Sequence, residues 1–203
     1  MTAPRPGRRT PEARAERLAR HAAEDDPAVV LAAAARLLEA RPRSVADLRA
    51  RLVRSGYPTA LVDAATGRLT ELGLLDDEAF ARGWLEARDR GRPRGERVLR
   101  QELRLRGVPG DVTAAALDER RDAVAPDDAD GAGRGDAGSA DEAAAIRLLG
   151  RRAGALARVP DPRVRRQRAY ALLARNGFDP DVAGRVAARL TDPRSQDADG
   201  DID

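Results

Sequence analysis

Residue types that could support catalysis are scarce in this 203-residue chain. It contains no cysteine, which removes thiolate nucleophiles, disulfides and cysteine-based metal sites. The one histidine, His21, falls in a polar leader with too few apolar residues to pack, so we interpret it as an incidental solvated residue. The glycine-rich stretch 131–135 has no lysine and no preceding strand, unlike a phosphate-binding loop. We predict no catalytic residue, no metal site and no cofactor.

Paired carboxylates can perform acid–base chemistry or bind a metal ion. Pairs of this kind include Asp25-Asp26, Asp76-Asp77 and Asp127-Asp128. They precede predicted helices or lie in a linker, so we interpret them as helix caps and solvated charge.

Arginine position carries more information than arginine number. The 37 basic residues, against 34 acidic ones, are all arginine, which a GC-rich coding bias explains. Arg97, Arg100 and Arg104, however, fall within about 60° of one another on a helical wheel, away from the apolar positions. Arg92 and Arg94 in the preceding loop extend this stripe. Comparable places elsewhere in the chain are held by four further candidates: Arg43, Arg49, Arg165 and Arg168.

The partner of these arginines stays open between two chemistries. A guanidinium group binds phosphate and carboxylate equally well, so DNA and an acidic protein surface both fit. No aromatic residue is interleaved with the stripe, which argues against stacking on single-stranded bases.

One short pattern, repeated three times, predicts the elements that position these side chains. Residues 52–58, 103–109 and 173–179 each run from an arginine-rich helical segment into a glycine, an apolar residue and then Pro or Asp. Gly56, Gly107 and Gly177 suit the left-handed position just past a helix end, and Pro or Asp suits the start of the next helix. Self-similarity at a period near fifty residues is typical of a repeat protein.

We therefore predict an all-α fold of three tandem three-helix repeats, helix-turn-helix-like, forming an elongated, curved molecule. The predicted segments are a disordered arginine-rich leader (1–26), repeat 1 (27–75), repeat 2 (76–125), an acidic Gly/Ala linker (126–140), repeat 3 (141–191) and an acidic disordered tail (192–203). The core is aliphatic and includes Phe80, Trp84 and Tyr170 on apolar faces. No apolar run is long enough to span a membrane, and we expect a cytoplasmic monomer.

Several of these residues also carry a family resemblance. The motifs are Arg43-Ser44 with Leu48, Leu52 and Gly56; Gly73-Leu74-Leu75-Asp76-Asp77 with Phe80-Ala81; and Arg94-Gly95 with Leu99, Glu102-Leu103 and Gly107-Val108. In these the chain resembles the RecX family of bacterial recombination regulators. The resemblance implies tandem three-helix repeats that bind the RecA recombinase filament and inhibit its strand-exchange, ATPase and coprotease activities. It also implies a weak direct contact with DNA in some members.

The leading hypothesis is thus a non-enzymatic modulator of DNA repair and recombination. The alternative is an autonomous DNA-binding protein that uses the glycine-ended helix pairs as helix-turn-helix elements. A net charge of only +3 argues against strong autonomous DNA binding.

Overall fold

The structure, a computed structural model, describes residues 11–123 and 140–189, and these residues form helices and turns without a β-strand. The helices are α1 (Pro11–Ala22), α2 (Pro27–Ala40), α3 (Val45–Arg54), α4 (Thr59–Glu71), α5 (Asp77–Gly91), α6 (Glu96–Leu105), α7 (Gly110–Asp122), α8 (Ala140–Gly150), α9 (Ala153–Ala157), α10 (Pro162–Arg175) and α11 (Pro180–Arg189). The predicted all-α fold is confirmed. The predicted tail, and the predicted linker apart from Ala140, lie outside the described residues.

Helix α1 corrects the prediction of disorder for residues 11–22 of the leader predicted over 1–26, and residues 1–10 of that leader lie outside the described residues. The α1 helix buries no residue fully, but it lies on the turn that follows α3. His21 Nδ1 is 2.6 Å from the Ser55 carbonyl oxygen, and the imidazole stacks on the Tyr57 ring at a centroid distance of 4.1 Å. The solvated interpretation of His21 is therefore wrong. Counting apolar residues in the leader misses a helix to which the polar and ring contacts of His21 contribute.

Side-chain caps begin several of the helices where the sequence predicts them. Ser44 Oγ accepts a hydrogen bond from the Asp47 N–H at the start of α3, and Asp26 does the same for Ala28 at the start of α2. Asp76 accepts from the Glu78 N–H before α5. Each cap satisfies an amide that has no partner inside its helix.

Contacts divide the chain into two compact units, Met1–Phe80 with Arg106–Val108, and Ala81–Leu105 with Pro109–Asp203. In the first unit α2, α3 and α4 enclose an aliphatic core: Val30, Ala34, Leu48, Leu52, Val62, Ala65, Leu69 and Leu75. In the second unit one hydrophobic cluster, aliphatic except for Phe178, joins α8, α9, α10 and α11: Ala144, Ala145, Leu149, Leu156, Ala169, Leu173, Phe178, Val182, Ala183, Val186 and Ala187. The α9 helix is a short fourth helix in the segment predicted to hold three.

The three repeated glycines have the conformation that their position demands. The φ angles are +100° at Gly56, +74° at Gly107 and +86° at Gly177, in the left-handed region that a side chain disfavours. Each follows a helix end and reverses the chain toward the next helix. The arginine-rich helices α3, α6 and α10 are therefore each fixed in length and direction by a glycine turn.

Candidate partner-binding surface

A shared contact holds each glycine turn in place. The carbonyl group of the residue before the glycine accepts a hydrogen bond from an earlier part of the chain. Ser55 O meets His21 Nδ1, Arg106 O accepts from Ser44 Oγ, and Asn176 O accepts from the Gly95 N–H at 3.0 Å. The second and third contacts fall at the beginnings of α3 and α6. The turns at Gly107 and Gly177 therefore lie on the N-terminal ends of α3 and α6, two helices that carry candidate arginines.

Two aspartates complete these helix beginnings in the same way. Asp77 Oδ1 accepts from the Val45 N–H at 2.9 Å, and Asp141 Oδ2 accepts from the Glu96 N–H at 2.9 Å. Burial raises the pKa of Asp77, against the opposing effect of the hydrogen bond from Val45. The N-terminal turns of α3 and α6 are thus occupied by the protein itself. An external anion cannot use the amides at Val45 and Glu96.

A buried ion-pair network fixes α5, α7 and α8 within the second unit. The Arg120 side chain is 7% exposed and donates two hydrogen bonds to Asp89, at 2.8 and 3.0 Å, and one to Asp141 at 2.8 Å. Burial alone would lower the pKa of Arg120, but the hydrogen bonds to both carboxylates outweigh burial and raise it. Because Asp141 also caps α6, one carboxylate ties the arginine stripe to this network.

Two of the candidate arginines are parts of the fold. Arg43 is buried, donates from Nε to the Leu37 carbonyl oxygen at 3.1 Å and pairs with Asp47 at 2.8 Å. Arg94 donates from Nη1 to the Asn176 side-chain oxygen and is half-buried. Both side chains hold a turn against a neighbouring helix. Arg43 is therefore enclosed by the fold, whereas Arg94 keeps part of its side chain exposed.

The exposed face of α6 carries the three arginines of the predicted stripe. Arg104 is exposed and has no hydrogen bond or ion pair among the described residues. Arg100 pairs with Glu96 at 2.7 Å, and Arg97 reaches the Ala174 carbonyl oxygen at 3.5 Å. Exposed pairs of this kind contribute about 0.2–1 kcal/mol and exchange readily for another anion. Leu105, 75% exposed at the helix end, adds an apolar side chain next to the stripe.

The remaining candidates are distributed between pairs and open solvent. Arg49 pairs with Asp63 at 2.7 Å on an exposed face, and this pair lowers the pKa of Asp63 and raises that of Arg49. Arg165 donates to the Val159 carbonyl oxygen at 3.1 and 3.0 Å. Arg92 and Arg168 are exposed and have no such partner among the described residues. Arg92 and Arg168 thus join Arg97, Arg100 and Arg104 as accessible cations.

Three aromatic side chains differ in their surroundings. Phe80 is buried, as its apolar face predicts. Trp84 is half-buried and donates from Nε1 to Glu102 at 2.9 Å, while Arg88 lies 4.4 Å from its ring centroid and also donates to Glu102. Tyr170 is 40% exposed, so its assignment to the core is wrong. Core position was inferred from spacing, and only neighbouring helices decide which apolar position they cover.

Comparison with known proteins matches this arrangement of helices and turns. Two family models match, one described as the first three-helix domain of RecX over residues 31–69 and one as the second over residues 76–117. The regulatory protein RecX of Thermobifida fusca is 35% identical over 165 residues, which cover 81% of this chain and 80% of that protein. The regulatory protein RecX of Mycolicibacterium vanbaalenii is 45% identical over 82 residues, which cover 40% of this chain and only 45% of that protein.

Two solved structures have the same fold at low sequence identity. The crystal structure of RecX from Lactobacillus salivarius superposes with a TM-score of 0.65 at 16% identity, over 82% of this chain and 97% of that one. A second crystal structure of a regulatory protein RecX gives a TM-score of 0.62 at 19% identity, over 80% of this chain and 73% of that one.

The fold and the glycine turns define the class of helical-repeat proteins. In this protein, its own side chains cover the N-terminal ends of α3 and α6. Within that class, the 35% sequence identity to the Thermobifida fusca protein, over 81% of this chain and 80% of that one, decides the family. The protein belongs to the RecX family of regulatory proteins. Among the described residues, no helix has the length and apolar content needed to cross a bilayer.

Proposed function

We propose that this protein binds the nucleoprotein filament of the RecA recombinase and inhibits its ATPase, strand-exchange and coprotease activities, so that it modulates DNA repair and recombination. It acts without catalysis, as a monomer in the cytoplasm. Membership of the RecX family of regulatory proteins is the observation that carries the proposal.

The accessible arginines are the means of binding that we propose. Arg97, Arg100 and Arg104 share one exposed face of a helix whose ends are fixed by Asp141 and by the Gly107 turn. The planar guanidinium fork presents several donors at once, so an arginine loses less conformational freedom per hydrogen bond to a carboxylate or phosphate. Several weak contacts of this kind, made by one chain to a repeating filament, add through effective concentration.

The experiment is a titration of this protein into a recombinase ATPase assay on single-stranded DNA, with filament binding followed in parallel by co-sedimentation. The expected result is inhibition and co-sedimentation at amounts stoichiometric with filament subunits or below. Absence of both would overturn the proposal.

An autonomous helix-turn-helix DNA-binding protein gives a different result. It binds naked duplex with an affinity that falls steeply with salt, and it slows the recombinase only by competing for DNA. Adding excess duplex then relieves the inhibition, whereas inhibition through the filament itself persists.

A further inference from the structure

An open groove between α10 and α11 contains side chains that neither the fold nor the proposed function uses. It has a volume of about 430 Å³ and is lined by five residues: Arg163, Arg166, Gln167, Tyr170 and Gly184. A Cβ atom built on Gly184 would meet nothing within 4 Å, so the glycine leaves the α11 side of the groove open. On a helical wheel of α10, the four α10 residues that line the groove fall within an arc of about 100°, so they share one face of the helix.

Among the described residues, no carboxylate pairs with the arginines of this groove. The α10 helix carries five arginines and no acidic residue, whereas α6 carries two glutamates beside its three arginines. Arg163 and Arg166 are both exposed, and neither side chain has a hydrogen bond or ion pair among the described residues. A bound anion would therefore not have to displace an internal partner.

Stability does not explain the position of Arg163. Arg163 lies in the first turn of α10, where the helix dipole is positive and a cation is unfavourable; the Asp161 side chain caps this turn from outside the helix. By contrast α3, α5, α6, α7, α8 and α11 each have an acidic residue in the first turn. A ligand that brings negative charge to Arg163 would offset this unfavourable interaction.

Tyr170 adds a stacking surface to the same face. Its ring is 40% exposed, while its helix neighbours Ala169 and Leu173 are fully buried. An exposed ring next to arginines offers a stacking surface for a planar base. Gln167 supplies both a donor and acceptor for a base edge.

We propose that this groove binds single-stranded nucleic acid, with one base stacked on Tyr170 and neighbouring phosphates bound by Arg163 and Arg166. A duplex does not fit as well, because its bases are stacked inside and cannot reach the tyrosine. An acidic polypeptide would use the arginines and leave the ring unused. The inference extends the proposed function without resting on it, since it concerns naked strands in the absence of the recombinase.

The test is fluorescence anisotropy of the full-length protein with a labelled oligothymidine strand. The Tyr170→Ala change should weaken binding about five- to a hundredfold, while Tyr170→Phe, which keeps the ring, should bind like the wild type. A strand made of abasic sites should bind the wild type and Tyr170→Ala with equal, reduced affinity. Circular dichroism verifies that each variant keeps its helices.

The arginine arm of the test uses a matched control. The Arg163→Ala/Arg166→Ala variant should reduce the dependence of log affinity on log salt by about 1.4, the value for two phosphate contacts on a single strand. The Arg14→Ala/Arg36→Ala variant removes the same charge at two exposed positions outside the groove and should leave the slope unchanged.

Three results would overturn the inference. One is equal affinity of wild type and Tyr170→Ala for the oligothymidine strand. Another is equal loss of affinity in the groove variant and its matched control. The third is displacement of the strand by poly-glutamate at equal charge concentration, which would identify an acidic protein as the ligand. Each is compatible with inhibition of the recombinase by the wild type, so it can be distinguished from failure of the proposed function.

Discussion

Gly95 and Gly177 lie in direct backbone contact. The Gly95 N–H donates to the carbonyl of Asn176 at 3.0 Å, and a Cβ atom built on Gly95 would overlap the Gly177 carbonyl group. Gly177 in turn needs its positive φ, and a Cβ there would lie 2.9 Å from the Val98 nitrogen. Gly95 therefore permits this close approach because it has no Cβ, and Gly177 permits it because it also adopts a positive φ.

Alanine substitutions can separate the cost of a positive φ from the cost of a steric overlap. Gly73→Ala meets open space but requires a positive φ of +67°, so it should cost about 1–2 kcal/mol of unfolding free energy. Gly95→Ala has no unfavourable φ but overlaps backbone that cannot move aside, so we expect a larger loss and a local rearrangement. Urea denaturation of both variants measures the difference.

Gly83→Ala is the control for this pair. Gly83 is exposed within α5, has open space around its Cβ position and has no positive φ. The substitution should stabilise the protein by about 0.5–1 kcal/mol through helix propensity. A Gly95→Ala variant as stable as the wild type would contradict the close approach.

Removing Arg120 should be among the most damaging single changes. Arg120→Met keeps the apolar part of the side chain but removes the buried guanidinium that joins Asp89 and Asp141, leaving Asp89 with Arg147 at 3.4 Å and Asp141 with the Glu96 N–H. Breaking a buried pair from one side costs about 3–5 kcal/mol. Arg121→Met is the control, because Arg121 is 49% exposed and its surface pairs contribute about 0–1 kcal/mol. Similar denaturation midpoints for the two variants would show that the network does not stabilise the fold.

The stability of the first unit should depend on the ionisation of Asp77. Burial raises the pKa of this carboxyl in the folded state, so its contribution to stability is full below the unfolded pKa of about 3.9 and is lost as the pH rises through the folded pKa. Asp77→Asn keeps an acceptor for the Val45 N–H and does not ionise. The stability of the variant relative to wild type should therefore increase as the pH is raised from about 3 to 7.

The Asp63→Asn variant should show the opposite dependence of stability on pH. Its hydrogen bond with Arg49 lowers the pKa of Asp63, so the contribution of this carboxylate is present above the unfolded pKa and is lost as the pH falls. The stability of Asp63→Asn relative to wild type should decrease as the pH rises. Chemical denaturation at several pH values checks both variants, and parallel curves for the two would contradict the assignment.

His21 should hold α1 in place without governing the rest of the fold. His21→Ala removes the contact with Ser55 O and the ring stacked on Tyr57, which together contribute about 1–2 kcal/mol. Amide hydrogen exchange in α1 should become faster, while exchange in α3 and α4 stays unchanged. Arg20→Ala, one residue earlier on α1, should leave protection intact. Unaltered protection of α1 in His21→Ala would place the stabilising contact elsewhere.

The α6 arginines should matter for inhibition and not for folding. We expect Arg97→Ala/Arg100→Ala/Arg104→Ala to weaken inhibition of the recombinase ATPase at least about tenfold, a loss of about 1.4 kcal/mol shared among three exposed contacts. Helicity by circular dichroism should be retained. The Arg14→Ala/Arg36→Ala/Arg158→Ala variant removes equal charge from exposed positions and should inhibit normally. If the two triple variants lost inhibition equally, the α6 arginines would contribute to inhibition only through net charge.

Repetition made the joints of this fold predictable. A glycine followed by an apolar residue at a helix end encodes local geometry, and three copies in register identify Gly56, Gly107 and Gly177 from sequence alone. Caps such as Ser44 and Asp76 are equally local.

The burial of particular side chains was not predictable in the same way. Arg43 lies inside and Tyr170 outside because neighbouring helices decide which part of each surface is covered. Helix α1 was missed for a related reason, since its stability comes from residues more than thirty positions away in sequence. Composition and periodicity contain neither kind of information.

The three carbonyls before the glycines have a consequence for how the chain avoids incorrect pairing during synthesis. Each meets a different chemical group, an imidazole at Ser55, a hydroxyl at Arg106 and a backbone amide at Asn176. If a turn packed against the wrong helix, its carbonyl oxygen would face a donor at an unsuitable distance. The reason is that an imidazole, a hydroxyl and an amide extend to different distances from the main chain. Similar segments in one polypeptide are prone to exchange places within a chain or between chains. We expect chemically distinct contacts at otherwise equivalent turns to disfavour the exchange of one near-copy for another.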